Sequence, residues 1–113
     1  MPNGVVIFHL KRLWAGPDGL IDLYEEIKAG RKNSEWREAR PYWWSRLFKK
    51  ADGKNILKVK RAWFVIGYPK HNLPRLEADI KRVIFHVFQG YFEIQFENVI
   101  EVKEAGSSIP AYC

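Results

Sequence analysis

Residues 91–103 read Tyr91-Phe92-Glu93-Ile94-Gln95-Phe96-Glu97-Asn98-Val99-Ile100-Glu101-Val102-Lys103, and the fold class turns on their alternation. Phe92, Ile94, Phe96, Ile100 and Val102 hold the even positions, while Glu93, Gln95, Glu97, Glu101 and Lys103 hold odd ones. A period of two belongs to a strand with one face buried and the other in water. Asn98 interrupts the apolar side and marks a bulge or turn.

Upstream of this stretch, Gln89-Gly90 is a turn and residues 83–88 read as a strand. Residues 72–77, with Pro74, read as a loop or a single helical turn. Residues 56–68 form one long strand or two, stopped by Pro69. Asp52-Gly53-Lys54-Asn55 is turn material. Pro41 opens a helix from Tyr42 to about Lys49, because the first helical turn needs no amide hydrogen there. Residues 34–38 are extended.

A first helix is expected from about 17 to 29. Leu20, Leu23, Tyr24 and Ile27 follow helical spacing, Asp18, Asp22, Glu25 and Glu26 lie near the positive end of its dipole, and Gly30 stops it. Val5-Val6-Ile7-Phe8 begins a first strand ending near Leu10. These elements predict one α+β domain over residues 1–105, a small barrel of five or six strands with two main helices inserted early. Residues 106–113 read as a loose tail.

The length of 113 residues fits one domain, and an apolar share of 47% with five Trp, five Tyr and seven Phe excludes a wholly disordered chain. No run approaches the length of a membrane span, and no secretory signal is recognisable. The single cysteine, Cys113, supports neither a disulfide framework nor a thiolate zinc site, so a cytoplasmic setting is expected. His9, His71 and His86 are far apart and show no metal-ligand spacing. No serine sits in a nucleophile elbow, and Gly30-Arg31-Lys32-Asn33-Ser34 lacks the upstream glycine of a phosphate-binding loop. No metal or cofactor is expected.

The net charge is +6, and it is polarised. Eleven of the nineteen Lys and Arg residues lie between Arg31 and Arg61, against Glu35, Glu38 and Asp52, while residues 93–104 are acidic. A local field of this kind concentrates polyanions at one face. Within it, Gly30-Arg31-Lys32-Asn33-Ser34-Glu35-Trp36-Arg37 is a helix stop, a loop with two cations and a strand on which Glu35 and Arg37 share one face and Ser34 and Trp36 the other. A lysine beside a carboxylate and a guanidinium can form an anion-binding or proton-transfer site, or a surface ion-pair cluster.

The spacing Gly30-x-Lys32-x-x-Glu35-x-Arg37 resembles the signature of the ASCH domain family, of the small phage and bacterial type. Lys11 at the end of the first strand, the amphipathic helix before Gly30, and Pro41-Tyr42-Trp43 with Arg46 and Leu47 resemble its flanks. The resemblance covers residues 5–103. It implies a β-barrel of the PUA-like superfamily with a cleft, lined by Gly30, Lys32, Glu35 and Arg37, that accepts RNA or a modified nucleotide. Among similar proteins, one branch removes acetyl groups from acetylcytidine and another member is described as a ribonuclease. The deacetylating branch carries a threonine three residues after the signature lysine, where this chain has Glu35.

With this resemblance, the chain is expected to be an RNA-binding or modified-nucleotide-binding domain with a basic cleft. In that reading Lys32 and Arg37 would hold phosphate or carbonyl oxygens, Glu35 would accept from a base or orient Lys32, and Lys11, Arg40 and Arg46 would add charge. Tyr42, Trp43 and Trp44 span some 200° of helix, so at least one ring is expected to be partly exposed, either packed against a loop or neighbouring strand or, with Trp36, serving as a stacking platform. A hydrolase would use Lys32 as acid or electrostatic stabiliser and Glu35 as base, with Glu93, Tyr68 or His86 as the opposing polar group. A module meeting an acidic protein partner would instead expose an apolar patch around Trp43 and Trp44.

Overall fold

In the computed structural model, residues 4–11, 13–17, 19–104 and 109–110 are described, with backbone alone at Trp14, Ile109 and Pro110. Strand β1 (Val5–Leu10) is followed by a hairpin of β2 (Leu13–Gly16) and β3 (Gly19–Asp22), then helix α1 (Leu23–Lys28). Strand β4 (Ser34–Glu38), helix α2 (Pro41–Leu47) and a second hairpin, β5 (Phe48–Ala51) with β6 (Lys54–Leu57), come next. Strands β7 (Arg61–Ile66), β8 (Arg75–His86) and β9 (Tyr91–Val102) form a meander, and β10 (Ile109–Pro110) ends the described chain. The fold is α+β.

The main sheet runs β1-β7-β8-β9, with β1 parallel to β7 and the other pairs antiparallel. The far edge of β9 carries two short strands: β4 pairs with residues 91–95 and β10 with residues 100–101. The sheet curls like part of a barrel. Although β1 and β4 lie at opposite ends of the strand order, the Arg37 guanidinium of β4 sits 5.1 Å from the Phe8 ring of β1. Phe8, Phe64, Phe92, Ile94, Ile27 and Leu47 fill the interior. Trp43 of α2 stacks on Phe8 with centroids 5.3 Å apart, which lays that helix against the core.

Several expectations need correction. The second helix ends at Leu47, so Phe48 and Lys49 are already strand β5, and Lys54 and Asn55, expected in a turn, open β6. The first helix begins at Leu23, because Gly16 and Gly19 close the β2–β3 hairpin and the Asp22 side chain caps the helix by accepting from the Glu25 amide at 3.2 Å. Leu20 therefore sits on a hairpin, 71% exposed, while Leu23, Tyr24 and Ile27 keep the inward stripe. Strand β8 starts at Arg75, so residues 75–77 are strand, and it ends at His86, leaving Val87 and Phe88 exposed in the turn. A further correction concerns β9. Asn98 takes φ 56 and the β8–β9 register slips between Glu77 and Asp79, so the expected bulge is present. Beyond it the inward phase changes at Val99 and Glu101, which are buried while Ile100 is only half-buried; Val102 at the strand end is buried, as its even position predicts. Glu101, expected in water, accepts from the Tyr24 hydroxyl at 3.0 Å and pairs with Lys28 at 3.3 Å, tying α1 to β9. Of the expected tail, Ile109 and Pro110 pair with β9, and the rest lies outside the described residues.

Candidate nucleotide-binding cleft

The signature stretch begins where α1 stops. Gly30 takes φ 80, and the Arg31 and Lys32 amides both donate to the Glu26 carbonyl, at 3.0 and 3.1 Å. The chain folds back on the helix end and enters β4, whose alternation places Glu35 opposite Ile94 and Arg37 opposite Phe92, on the core side. Ser34 and Trp36 take the outer face, as their spacing predicts. Glu35 is buried, at 7% exposure. Its Oε1 lies 2.9 Å from Arg37 Nη1 and 3.7 Å from Lys32 Nζ, and it accepts from the Trp36 amide at 3.2 Å. Its Oε2 is buried with no hydrogen-bond partner among the described residues. Arg37 also lies over the Phe8 and Trp43 rings, at 5.1 and 5.5 Å.

The two cations around Glu35 are therefore unequal. Arg37 takes the close contact and faces the core. Lys32, at the longer distance, keeps charge to spare and lines a cleft of about 480 Å³. Gly30, Lys32 and Asn33 form one wall and residues 96–99 of β9 the other, with Lys81 and Gln95 at its sides. The cleft follows from the topology. The Phe96 amide donates to the Asn33 carbonyl at 3.0 Å, β4 then leaves, and β10 does not pair until Ile100, so the intervening β9 edge borders the opening. A second register slip, between Ile80 and Arg82, falls at Lys81, and the slip at Asn98 falls on the facing wall. Bulges re-aim side chains, and both do so here. Neither Lys81 nor Glu97 has a partner of opposite charge within 4 Å among the described residues.

On the outer face, Gln95 connects the cleft to a second cluster. Arg82 Nε donates to Gln95 Oε1 at 2.6 Å, Gln95 Nε2 donates to Glu93 Oε2 at 2.9 Å, and His86 Nε2 lies 2.8 Å from Glu93 Oε1. The Gln95 hydrogen bond first, and that of His86 second, hold the Glu93 carboxyl below its ordinary range. The Trp36 indole, 43% exposed, stacks on His86 at 4.6 Å.

The other residues expected at the site do not gather there. Glu35 and Arg37 sit behind the cleft. Lys11 is exposed at the end of β1, and Arg40 pairs with Glu38. Tyr42, Trp43 and Arg46 line a separate pocket of about 140 Å³ with His9, where the Arg46 guanidinium lies 5.0 Å from the Tyr42 ring. Trp44 lines a third hollow beside Phe48. The exposed ring of α2 is Tyr42, at 54%, while Trp43 and Trp44 are both half-buried, because the helix lies flat and each indole reaches core rings, Phe8 on one side and Phe92 on the other. Glu93, Tyr68 and His86 do not line the cleft with Lys32; Glu97 does. Sequence reasoning missed Lys81 and Glu97 as site residues. The break at Asn98 was the available signal for the wall carrying Glu97.

Comparison of the chain with protein-family models, with curated proteins and with solved structures finds no match. Among the described residues, no three His, Cys, Asp or Glu side chains gather as metal ligands, and no helix is long and apolar enough to cross a membrane.

Proposed function

We propose that the chain is an ASCH-like, PUA-like domain that binds RNA or a modified nucleotide in the cleft between Lys32 and residues 96–99. The supporting observation is the division of labour around Glu35. Arg37 neutralises the buried carboxylate, so Lys32, 3.7 Å from it, keeps net positive character toward the cleft that it lines. Lys81 supplies a second cation, and the Asn33 amide offers both donor and acceptor to a base edge. The volume falls within the range of small-molecule sites, about 300–1,000 Å³.

Anisotropy of a labelled single-stranded RNA tests this reading. Lys81→Ala, which removes no ion pair, should weaken binding and flatten the slope of log affinity against log salt by about 0.7, the value for one phosphate contact on a single strand. Lys32→Ala should do the same. Salt-independent binding, or parent-like binding by both variants, would refute the reading.

Glu97 favours a second reading, hydrolysis of RNA or of a base modification. It is a carboxylate with no ion-pair partner among the described residues, in the same cleft as Lys32, the opposing polar group that such chemistry needs. RNA cleavage or base deacetylation by the parent, abolished in both Lys32→Ala and Glu97→Gln, would establish it. An acidic protein partner is the least favoured reading, since it calls for exposed Trp43 and Trp44.

A further inference from the structure

Among the described residues, a concentration of unpaired positive charge lies outside the cleft. Lys49, Lys50, Lys54, Lys58 and Lys60 are all exposed, and Asp52 is the one acid in the same stretch of sequence. None of the five lysines has a carboxylate within 4 Å among the described residues, whereas Lys28, Arg31, Arg37, Arg40, Arg61 and Arg75 are all paired. The first three stand on the β5–β6 hairpin, a small sheet of its own whose two-residue turn is Asp52-Gly53.

At the foot of that hairpin is a groove of about 410 Å³. Pro41, Trp44 and Phe48 form its apolar floor, and Lys49, Lys50 and Asn55 its rim. Trp36 is stacked on His86 at an interplanar angle of 22° and Trp43 on Phe8 at 20°. Trp44 meets Phe48, Phe85 and Phe92 only at 43°, 76° and 79°. Among these three indoles it alone has no parallel ring on either face within the described residues. Trp44 is half-buried, but it lines the groove beside unpaired lysines, and an indole next to ammonium groups is the pairing that single-stranded RNA uses, base on ring and phosphate on ammonium.

Strand β4 separates the groove from the cleft. Lys32 and Asn33 of the cleft precede it, and Pro41 of the groove follows it. Five strand residues span about 17 Å. That length exceeds a single nucleotide, so a ligand that fills both sites is an oligonucleotide; single-stranded sites on one OB-fold cover about 4–16 nucleotides.

We infer that the groove is a second nucleotide subsite and that the ligand is a single-stranded RNA segment reaching from the cleft to the hairpin, with Lys49 and Lys50 on its phosphates and a base against Trp44. The inference rests on the nucleotide reading of the cleft. It is tested with uridine monophosphate and with oligouridylates of two to twelve residues, titrated into the full chain and into the Lys49→Ala/Lys50→Ala double variant. Affinity should rise at least tenfold between the dimer and the octamer. The double variant should lose at least tenfold on the octamer, with a salt slope flatter by about 1.4 for two contacts, while monophosphate binding is unchanged. Trp44→Phe should abolish octamer-induced quenching of tryptophan emission.

Monophosphate binding as tight as octamer binding, or octamer binding left intact by the double variant, would overturn the spanning segment and leave the cleft reading standing. An octamer that depends on Lys49 and Lys50 but not on Lys32 or Lys81 would overturn both. So would a parent that binds neither ligand, including one that instead adsorbs to phosphatidylserine vesicles through the hairpin.

Discussion

Replacing Arg37 by Ala should destabilise the chain more than replacing Glu35 by Gln. The first change leaves a buried carboxylate with only the distant Lys32 and one amide, and it also strips the guanidinium from the Phe8 and Trp43 rings. Breaking a buried pair from one side costs about 3–5 kcal/mol, and the part-exposure of Arg37 reduces this to roughly 2–3 kcal/mol, or ~10 °C in Tm. Glu35→Gln keeps the shape and an acceptor for Arg37, and should cost less than about 1 kcal/mol. Thermal melts of the two variants provide the comparison. Glu93 offers a test by pH. Gln95 and then His86 depress its carboxyl, so the folded state gains stability above the unfolded carboxylate range and loses it as pH falls through the depressed value. Melting curves of parent and Glu93→Gln should therefore converge at acid pH and separate above the ordinary carboxylate range.

At the scale of elements, the alternation from Phe92 to Phe96 was legible because a half-buried strand imposes its period directly on the residues. Ile94 is fully buried there. Ile94→Asp should abolish cooperative folding by circular dichroism, since an unpaired buried charge costs several kcal/mol out of the roughly 5–15 kcal/mol that holds a domain together. Asn98 was legible as a break, but the change of face beyond it was not, because a bulge shifts every later side chain and only the partner strand shows by how much. Lys81 was invisible for the same reason: its aim comes from a slip against β9. The β2–β3 hairpin was hidden by a coincidence of spacing, since Leu20 extends the stripe that Leu23, Tyr24 and Ile27 present after the helix begins. Asn98 holds φ 56, so Asn98→Gly should be tolerated and retain binding. Asn98→Val should cost about 1–2 kcal/mol and lower RNA affinity, because a β-branched residue resists that backbone and the cleft wall must shift.

For the molecule as a whole, two registers stand apart from the rest. Val5 pairs in parallel with Arg61 and Ser34 pairs with Gln95, while β7, β8 and β9 pair with near neighbours in sequence. Closing so long a loop costs entropy before any contact repays it, so the β7–β8–β9 meander has the advantage and β1 docks onto it afterwards. In a chevron experiment, Phe8→Leu should chiefly accelerate unfolding, with a φ-value near zero, and Ile94→Val should chiefly slow folding. A wall built from both early and late segments is then completed by whichever arrives last. Translation makes β1 wait for a partner synthesised long after it, and during that interval its row of apolar side chains has nowhere to go. Until β7 arrives, Val5-Val6-Ile7-Phe8 is an unpaired β-branched strand, and pairing with a wrong strand edge in that interval is the misassembly that this topology invites.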